Sequence, residues 1–350
     1  MSGAVMRALF DADHAAFADT FDAFVERDAA EPDAFARAGK AGLLGMQVAD
    51  RYGGGDIDDP RFCAVAVEKL VARGRVGFAL AYAGHVGVGQ ATLSEHGSTR
   101  QQEEWLTRLA SGDAMVAVTA DAVTAEPAGE EIVLHGTVAA VVNGASADLL
   151  LLPLEPDGVI AVIPTATPGL SRTAVEGLAL TDAHLADIEF DAVRLSQSDL
   201  LPQNATEPFF ASLRLWAAVA SVAGARTALG WTRAYIRDRK VFGRPVSGFE
   251  NTRQVLGGLS ADVLAAEGHV DQCLRAHGES RLRPEDALAA KLVGSELFGR
   301  AADRGLQLHG GYGYMREYPI SLLFADARFL RWYAGANEQL ALELADSRGL

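Results

Sequence analysis

The sequence predicts an α+β protein in three parts: a helical layer over residues 1–112, a small β domain over 113–202 and a four-helix bundle over 203–350. Three observations predict it. Apolar residues return every three or four positions up to about residue 111, the pattern then breaks into short β-branched or leucine-rich runs, and long helical periodicity resumes from about residue 206.

In the first part, Phe17, Phe21, Phe24 and Val25 mark one helix, and Cys63, Val65, Val67, Leu70 and Val71 another. Between them RYGGGDIDDP, residues 51–60, sets three glycines before acids and a proline and reads as a loop. In the second part MVAVTA, EIVLHGTVAAVV, DLLLLPL and GVIAVIP are bounded by Gly, Pro, Asp and Asn, spacing that predicts an antiparallel barrel or sandwich. In the third, helical patterns over 209–240, 249–277, 284–309 and 320–346 predict the bundle. Neither a repeat nor a low-complexity tract interrupts them.

Composition bounds the function. The chain has 350 residues, 49% of them apolar, and a net charge of −15, which argues against a nucleic-acid or anionic-membrane partner. Cys63 and Cys273 are far apart and lack metal-ligand spacing, so core thiols and a reducing cytoplasm are expected. His85, His96, His135 and His309 show no paired metal spacing and read as packing or polar residues. Arg7, Asp11 and Asp13 interrupt any signal-peptide core, and no uninterrupted bilayer-spanning apolar run is expected. Arginine outnumbers lysine 27 to four, the bias of a GC-rich genome. Nucleophile-elbow and phosphate-loop patterns are missing, which leaves acyl and nucleotide hydrolysis without a foothold.

Two motifs carry chemistry. In YIRDRKVFGRPVSGF, residues 235–249, Arg239 and Phe242 are three apart and are expected to share a helix face that Gly243 and Pro245 terminate. A guanidinium held there by an aromatic neighbour can clamp a pyrophosphate. A helix C-terminus whose cations complement its dipole accounts for the same residues. In QLHGGYGYMREYP, residues 307–319, Gly310, Gly311 and Gly313 allow close backbone approach and Gln307 offers an amide one turn earlier. A helix C-cap followed by a loop accounts for these equally.

Together, in this order and at this separation, the two motifs resemble the acyl-CoA dehydrogenase family. GLLGMQVADRYGGG, EHGSTRQQEEWLTRLASGD and HGTVAAVVNGASADLLLL extend the resemblance along nearly the whole chain. It implies the acyl-CoA dehydrogenase fold, with N-terminal helices, central β-barrel and C-terminal four-helix bundle, in a dimer of dimers with FAD at subunit interfaces. It also implies a reaching set that serves the neighbouring subunit's flavin: Arg239, Phe242, Gly243, Gln307, Gly310 and Gly311, all present. The receiving set departs from the family. For Thr-Glu-Pro-x-x-Gly-Ser-Asp this chain has TADAVTAEPAGEE, with Thr119 as the remnant and Glu126 and Pro127 too close to the strand at Ile132 to restore the loop. For Trp-Ile-Thr or Trp-Ile-Ser it has Ala140, Val141 and Val142.

For the family's Tyr-Glu-Gly-Thr it has Tyr333, Ala334, Gly335 and Ala336, so the catalytic base and a cofactor-contacting threonine are both replaced. The base position used by other members falls on Leu213, just before Arg214. The chemistry needs such a base to remove the α-proton while hydride leaves the β-carbon, and a positioned base contributes about 10²- to 10⁴-fold. The one-sided loss implies no catalytic residue in this chain. It implies a non-catalytic subunit that completes the FAD site of a catalytic acyl-CoA dehydrogenase partner holding the acyl-CoA substrate, with electron-transfer flavoprotein or a similar acceptor. That arrangement resembles the α2β2 acyl-CoA dehydrogenases of actinobacterial steroid side-chain degradation. The alternatives are an active homomeric flavoenzyme using another carboxylate such as Glu338, and a flavin-free scaffold.

Overall fold

The computed structural model describes residues 7–29, 31, 33–156 and 158–350; the Met1–Met6 part of the leader reading lies outside the described residues. The chain opens with α1 (Ala12–Arg27), whose N-terminal amides are capped by the Asp11 carboxylate. Next come α2 (Ala34–Lys40), the loop expected at 51–60, α3 (Arg61–Ala72) and α4 (Val76–Tyr82). Then α4 widens into a π-helical segment, Ala83–Gln90, before α5 (Ala91–His96) and α6 (Thr99–Ser111). Ser98 and Gln101 form a capping box at the start of α6, and Gly112, at φ 76°, ends it.

The π-helical segment was not foreseen and has a packing cause. At Gly87 an added Cβ would lie 2.4 Å from the Trp216 indole nitrogen, and the Gly87 carbonyl accepts from both that N–H and the Ser212 hydroxyl, each at 2.9 Å. His85, fully buried, donates from Nε2 to the Leu109 carbonyl and accepts the Val116 amide at Nδ1, and burial lowers its pKa to about 4. A neutral imidazole thus fastens the helical layer to the first strand.

Seven strands follow: β1 (Val116–Val118), β2 (Val123–Ala128), β3 (Glu131–Val141), β4 (Leu149–Glu155), β5 (Val159–Pro164), β6 (Leu170–Ala174) and β7 (Ala186–Ser196). They form one mixed sheet in the order β1-β4-β2-β3-β7-β6, with β5 also on β4. The wholly antiparallel sheet expected from strand spacing is corrected: β1 and β2 both run parallel to β4, as one strand interrupted by the loop 119–122. Alternate residues explain the unbroken apolar run on β4. Val116, Val118, Leu149, Leu151, Ile160 and Val162 join the helical core, whereas Ala117, Leu150, Leu152, Ala161 and Ile163 fill a second core within the curled sheet. Glu126 and Pro127 lie inside β2, joined to β3 by the tight turn at Gly129, so no longer loop is possible there.

The bundle begins with α7 (Thr206–Asp238), packed along α9 (Pro284–His309); between these lie a short hairpin of β8 (Lys240–Val241) and β9 (Arg244–Pro245), and α8 (Glu250–Gly278). Among the described residues α7 is one helix long and apolar enough to cross a bilayer, and it is 83% buried at the bundle centre over that stretch. The fourth expected helix is two: α10 (Ile320–Leu330) and α11 (Asn337–Ser347) flank a turn in which Ala334 has φ 62° and Gly335 φ 104°. Both cysteines are buried free thiols.

Buried Asp326 on α10 accepts the Leu180 amide at 2.9 Å and so ties the bundle to the loop between β6 and β7. Burial, with neighbouring Asp182 adding to it, pushes its pKa up to about 7. The folded state therefore holds a proton that the unfolded chain releases near pH 4, a stabilisation complete below that value and lost as pH rises through about 7. Asp326→Asn keeps an acceptor for Leu180 without the titration. Denaturation midpoints from pH 4.5 to 7.5 should show the wild type losing stability relative to this variant by up to about 1.4 kcal/mol per pH unit; a constant difference contradicts the assignment.

Candidate functional site

The residues singled out in the sequence fall into two places. The first is a cleft between the 119–122 loop and the turn after α10, lined by Val118, Thr119, Asp121, Ala140, Val142 and residues 332–335. Its walls leave room for about one water molecule. Thr119 is buried and its hydroxyl accepts the Asp121 amide at 3.0 Å. Ala140, in the left-handed region at φ 47°, donates its N–H to Asp187. Where an aromatic wall and a hydroxyl would be needed, the cleft offers Ala140 and the buried isopropyl of Val142.

Ala334 is 4% exposed and brings a methyl group. Leu213 is buried on α7, and its neighbour Arg214 is engaged by Glu343 at 2.8 Å. Glu338 is 77% exposed in its side chain, and its own backbone N–H, then Arg331, to which it is bound, hold its carboxyl below the usual range. It does not line the cleft. Sequence reasoning missed Asp121, the carboxylate the cleft does contain, with its pKa raised by burial. Asp121, Trp332 and Gly335 also border an adjoining open cavity of about 710 Å³ that reaches Phe210, Arg214 and Glu343.

A polar network holds the turn. Fully buried Lys291 on α9 donates from Nζ to the carbonyls of Arg331 and Gly335 and to Asn337 Oδ1, at 3.2, 2.5 and 2.6 Å. Burial lowers its pKa to about 7, helped by Arg214 and Arg331. Ser295, one turn along α9, bonds Asn337, and Glu296 binds both Asn337 and Arg331. Its signal in the sequence was a single lysine in the apolar stretch ALAAKLVGSELF, four residues before a serine.

The second place is an outer arm where α7 and α9 end. The expectation that Arg239 and Phe242 share a helix face is corrected: α7 stops at Asp238 and Arg239 is already extended, with ψ 121°. Phe242 and Gly243, at φ 50° and 80°, form the two-residue hairpin turn whose twist suits paired strands. That hairpin closes because the Val246 amide donates to the Arg239 carbonyl at 2.8 Å, drawing the chain out of the helix. Phe242 is 96% exposed. Arg239 lies instead over Tyr312, 5.7 Å from the ring centre.

Gln307 is exposed near the end of α9, and Gly310 follows at φ 61°, ψ −140°, a conformation open to glycine. A side chain at Gly310 or Gly311 would meet nothing within 4 Å, so this backbone lies bare. The arm is also locally basic. Residues 233–253 contain Arg233, Arg237, Arg239, Lys240, Arg244 and Arg253 against Asp238 and Glu250, in a chain of net charge −15. Among the described residues Arg239 has no carboxylate within ion-pair distance, leaving its donors free for an outside anion. None of the six arm residues lines the cleft. For an FAD, the arm offers a guanidinium and bare backbone of the kind a diphosphate takes, whereas the cleft offers only small apolar side chains at Ala140 and Val142.

Residues 3–113 match the model of the acyl-CoA dehydrogenase N-terminal domain and 204–348 that of the C-terminal domain. A probable acyl-CoA dehydrogenase of Bacillus subtilis is 30% identical over 337 residues, covering 89% of this chain and 88% of the relative. The chain belongs to the acyl-CoA dehydrogenase family. The mitochondrial long-chain specific acyl-CoA dehydrogenase of Rattus norvegicus is 28% identical, with 86% and 76% of the two chains covered. The acyl-CoA dehydrogenase structure from Geobacillus kaustophilus superimposes with a TM-score of 0.88 at 24% identity, over 98% of this chain and all of that one. A glutaryl-CoA dehydrogenase from Mycobacterium smegmatis, solved with FADH2, gives 0.85 at 24% identity, covering 98% and 96%. The family comprises FAD-dependent dehydrogenases of CoA thioesters, and this member has the family's architecture with an alanine in the turn after α10.

Lys291→Met should remove a charged donor from three acceptors, leave the Gly335 carbonyl without a partner and destabilise the fold by about 2–3 kcal/mol, measured by denaturant unfolding. A loss under about 0.5 kcal/mol would show that the turn stands without it.

Proposed function

We propose that this chain is the non-catalytic subunit of a heteromeric acyl-CoA dehydrogenase and completes the FAD site of a catalytic partner subunit. The observation that carries the reading is the division between a narrow cleft with only the Ala334 methyl at the family's base position and a separate, open, basic arm. When bound, FAD supplies the hydride acceptor at the partner's site. Arg239 would hold its diphosphate through paired charge-assisted hydrogen bonds. Gln307 and the bare backbone at Gly310 and Gly311 would border the rest of the dinucleotide, and Phe242 with Gly243 would form the contact edge toward the partner.

Ala334 and Leu213 leave no carboxylate at either base position, so α-proton removal belongs to the partner, which also holds most of the acyl-CoA. An α2β2 assembly, a steroid side-chain thioester as substrate and an electron-transfer flavoprotein as acceptor follow from the family resemblance. The open cavity of about 710 Å³ beside the narrow cleft supports a bulky acyl group within such an assembly. Against an active homomer using Glu338 stands that residue's exposed position beyond the cleft.

Co-expression with a catalytic subunit followed by flavin counting tests the reading: one FAD per pair of unlike chains is expected, and two contradict it. In the same complex Arg239→Ala should weaken FAD binding about 10- to 100-fold, the range for losing hydrogen bonds to a charged group. Unchanged affinity would favour a flavin-free scaffold.

A further inference from the structure

We infer that Tyr312 positions Arg239, holding the guanidinium at the arm without neutralising it, so that a diphosphate meets a preset and fully charged clamp. This rests on the proposed role of Arg239 at a partner's FAD. The sequence suggested Phe242 as the aromatic neighbour, but Phe242 points away at the hairpin tip, 96% exposed, while Tyr312 lies under the guanidinium.

The ring has a rigid seat. Tyr312 packs on Tyr318 at 5.0 Å between centroids, and Tyr318 stands edge-on to Tyr235 at 5.9 Å and to His309 at 6.2 Å. Tyr235 stacks on His309 at 4.1 Å and donates its hydroxyl to the His309 carbonyl at 3.1 Å, while His309 Nδ1 donates to the Gly305 carbonyl at 2.7 Å. Four rings thus bolt together the end of α7, the end of α9 and the loop that follows it. Arg239 sits one helical turn after Tyr235, and its backbone is pinned on both sides: its N–H donates to the Tyr235 carbonyl and its carbonyl accepts from Val246.

The choice of an aromatic ring has a physical consequence. A carboxylate would hold Arg239 more firmly but would occupy the N–H donors and cancel the charge that attract an anion. A ring face attracts the cation through its quadrupole and leaves the in-plane donors free. Restricting the long side chain before binding reduces the ordering cost paid on association.

The test uses the co-purified heteromer, stripped of flavin and reconstituted, with variants in this chain only. FAD and FMN affinities are read from quenching of flavin fluorescence. Tyr312→Leu should weaken FAD about 3- to 10-fold, within the range for a cation–π contact, and leave FMN unchanged. Tyr312→Phe should bind FAD as wild type does, and in an Arg239→Ala background Tyr312→Leu should have no further effect. An unchanged FAD affinity for Tyr312→Leu, equal weakening of FAD and FMN, or an effect that persists without Arg239 overturns the inference. If Tyr312→Leu fails to assemble, Tyr312→Met of similar volume takes its place with the same expectations. Should Arg239→Ala itself leave FAD affinity unchanged, the proposed function fails; should it weaken FAD while Tyr312→Leu does not, only the positioning role fails.

Discussion

The ammonium of Lys291, buried in the bundle and bonded to two carbonyls and an amide oxygen, sets the position of the turn between α10 and α11. Those acceptors lie at the end of one helix and the start of the next, where the Arg331 carbonyl also accepts the Asn337 amide and the Gly335 carbonyl depends on the lysine. With the turn held from below by α9, Tyr333 and Ala334 form one wall of the cleft and the 119–122 loop the other. A scaffold suited to presenting a side chain in that cleft therefore persists around a residue that presents only a methyl group. The frame of the family's site is intact around an alanine at position 334.

The arm follows a different logic. Its backbone departs from helix at Arg239, its turn exposes Phe242, and its glycines leave the backbone uncovered. None of these features repays its cost inside a single chain, since an exposed phenylalanine and an unpaired arginine contribute little to stability. The proposed role gives them a physical purpose, as the place where a second chain and an anionic group would meet this one. Cleft and arm thus face different problems: one is packed against itself, and the other is left open for something outside. The acidic surface elsewhere makes the basic arm a local exception where an anion would be drawn.

Much of the fold was legible because its signals are periodic. The long apolar repeats of α7, α8 and α9 and the β-branched runs of β3 and β5 have periods set by backbone geometry, and their order along the chain gave the layered plan. Three features were not legible, each for a stated reason. The break between α10 and α11 depends on Lys291, which is 40 residues away along the chain. The π-helical segment answers the Trp216 indole of α7, a contact between distant segments. The parallel pairing of β1 and β2 with β4 depends on which strand edges meet, which strand spacing leaves open. At the site, glycines and replaced residues were readable as motifs, whereas the seat of Arg239 was not. Tyr312 reaches it from 73 positions further along, and Phe242, nearer in sequence, is carried away by the hairpin turn.

The central claim is that flavin engages the arm of this chain and stays out of its cleft. The most direct measurement is an experimental density map of the co-purified heteromer, with the flavin located relative to each subunit. The account predicts a dinucleotide against Arg239, Gln307 and Gly310, its isoalloxazine ring lying in the partner. A ring seated between Thr119, Ala140 and Ala334 of this chain would contradict it.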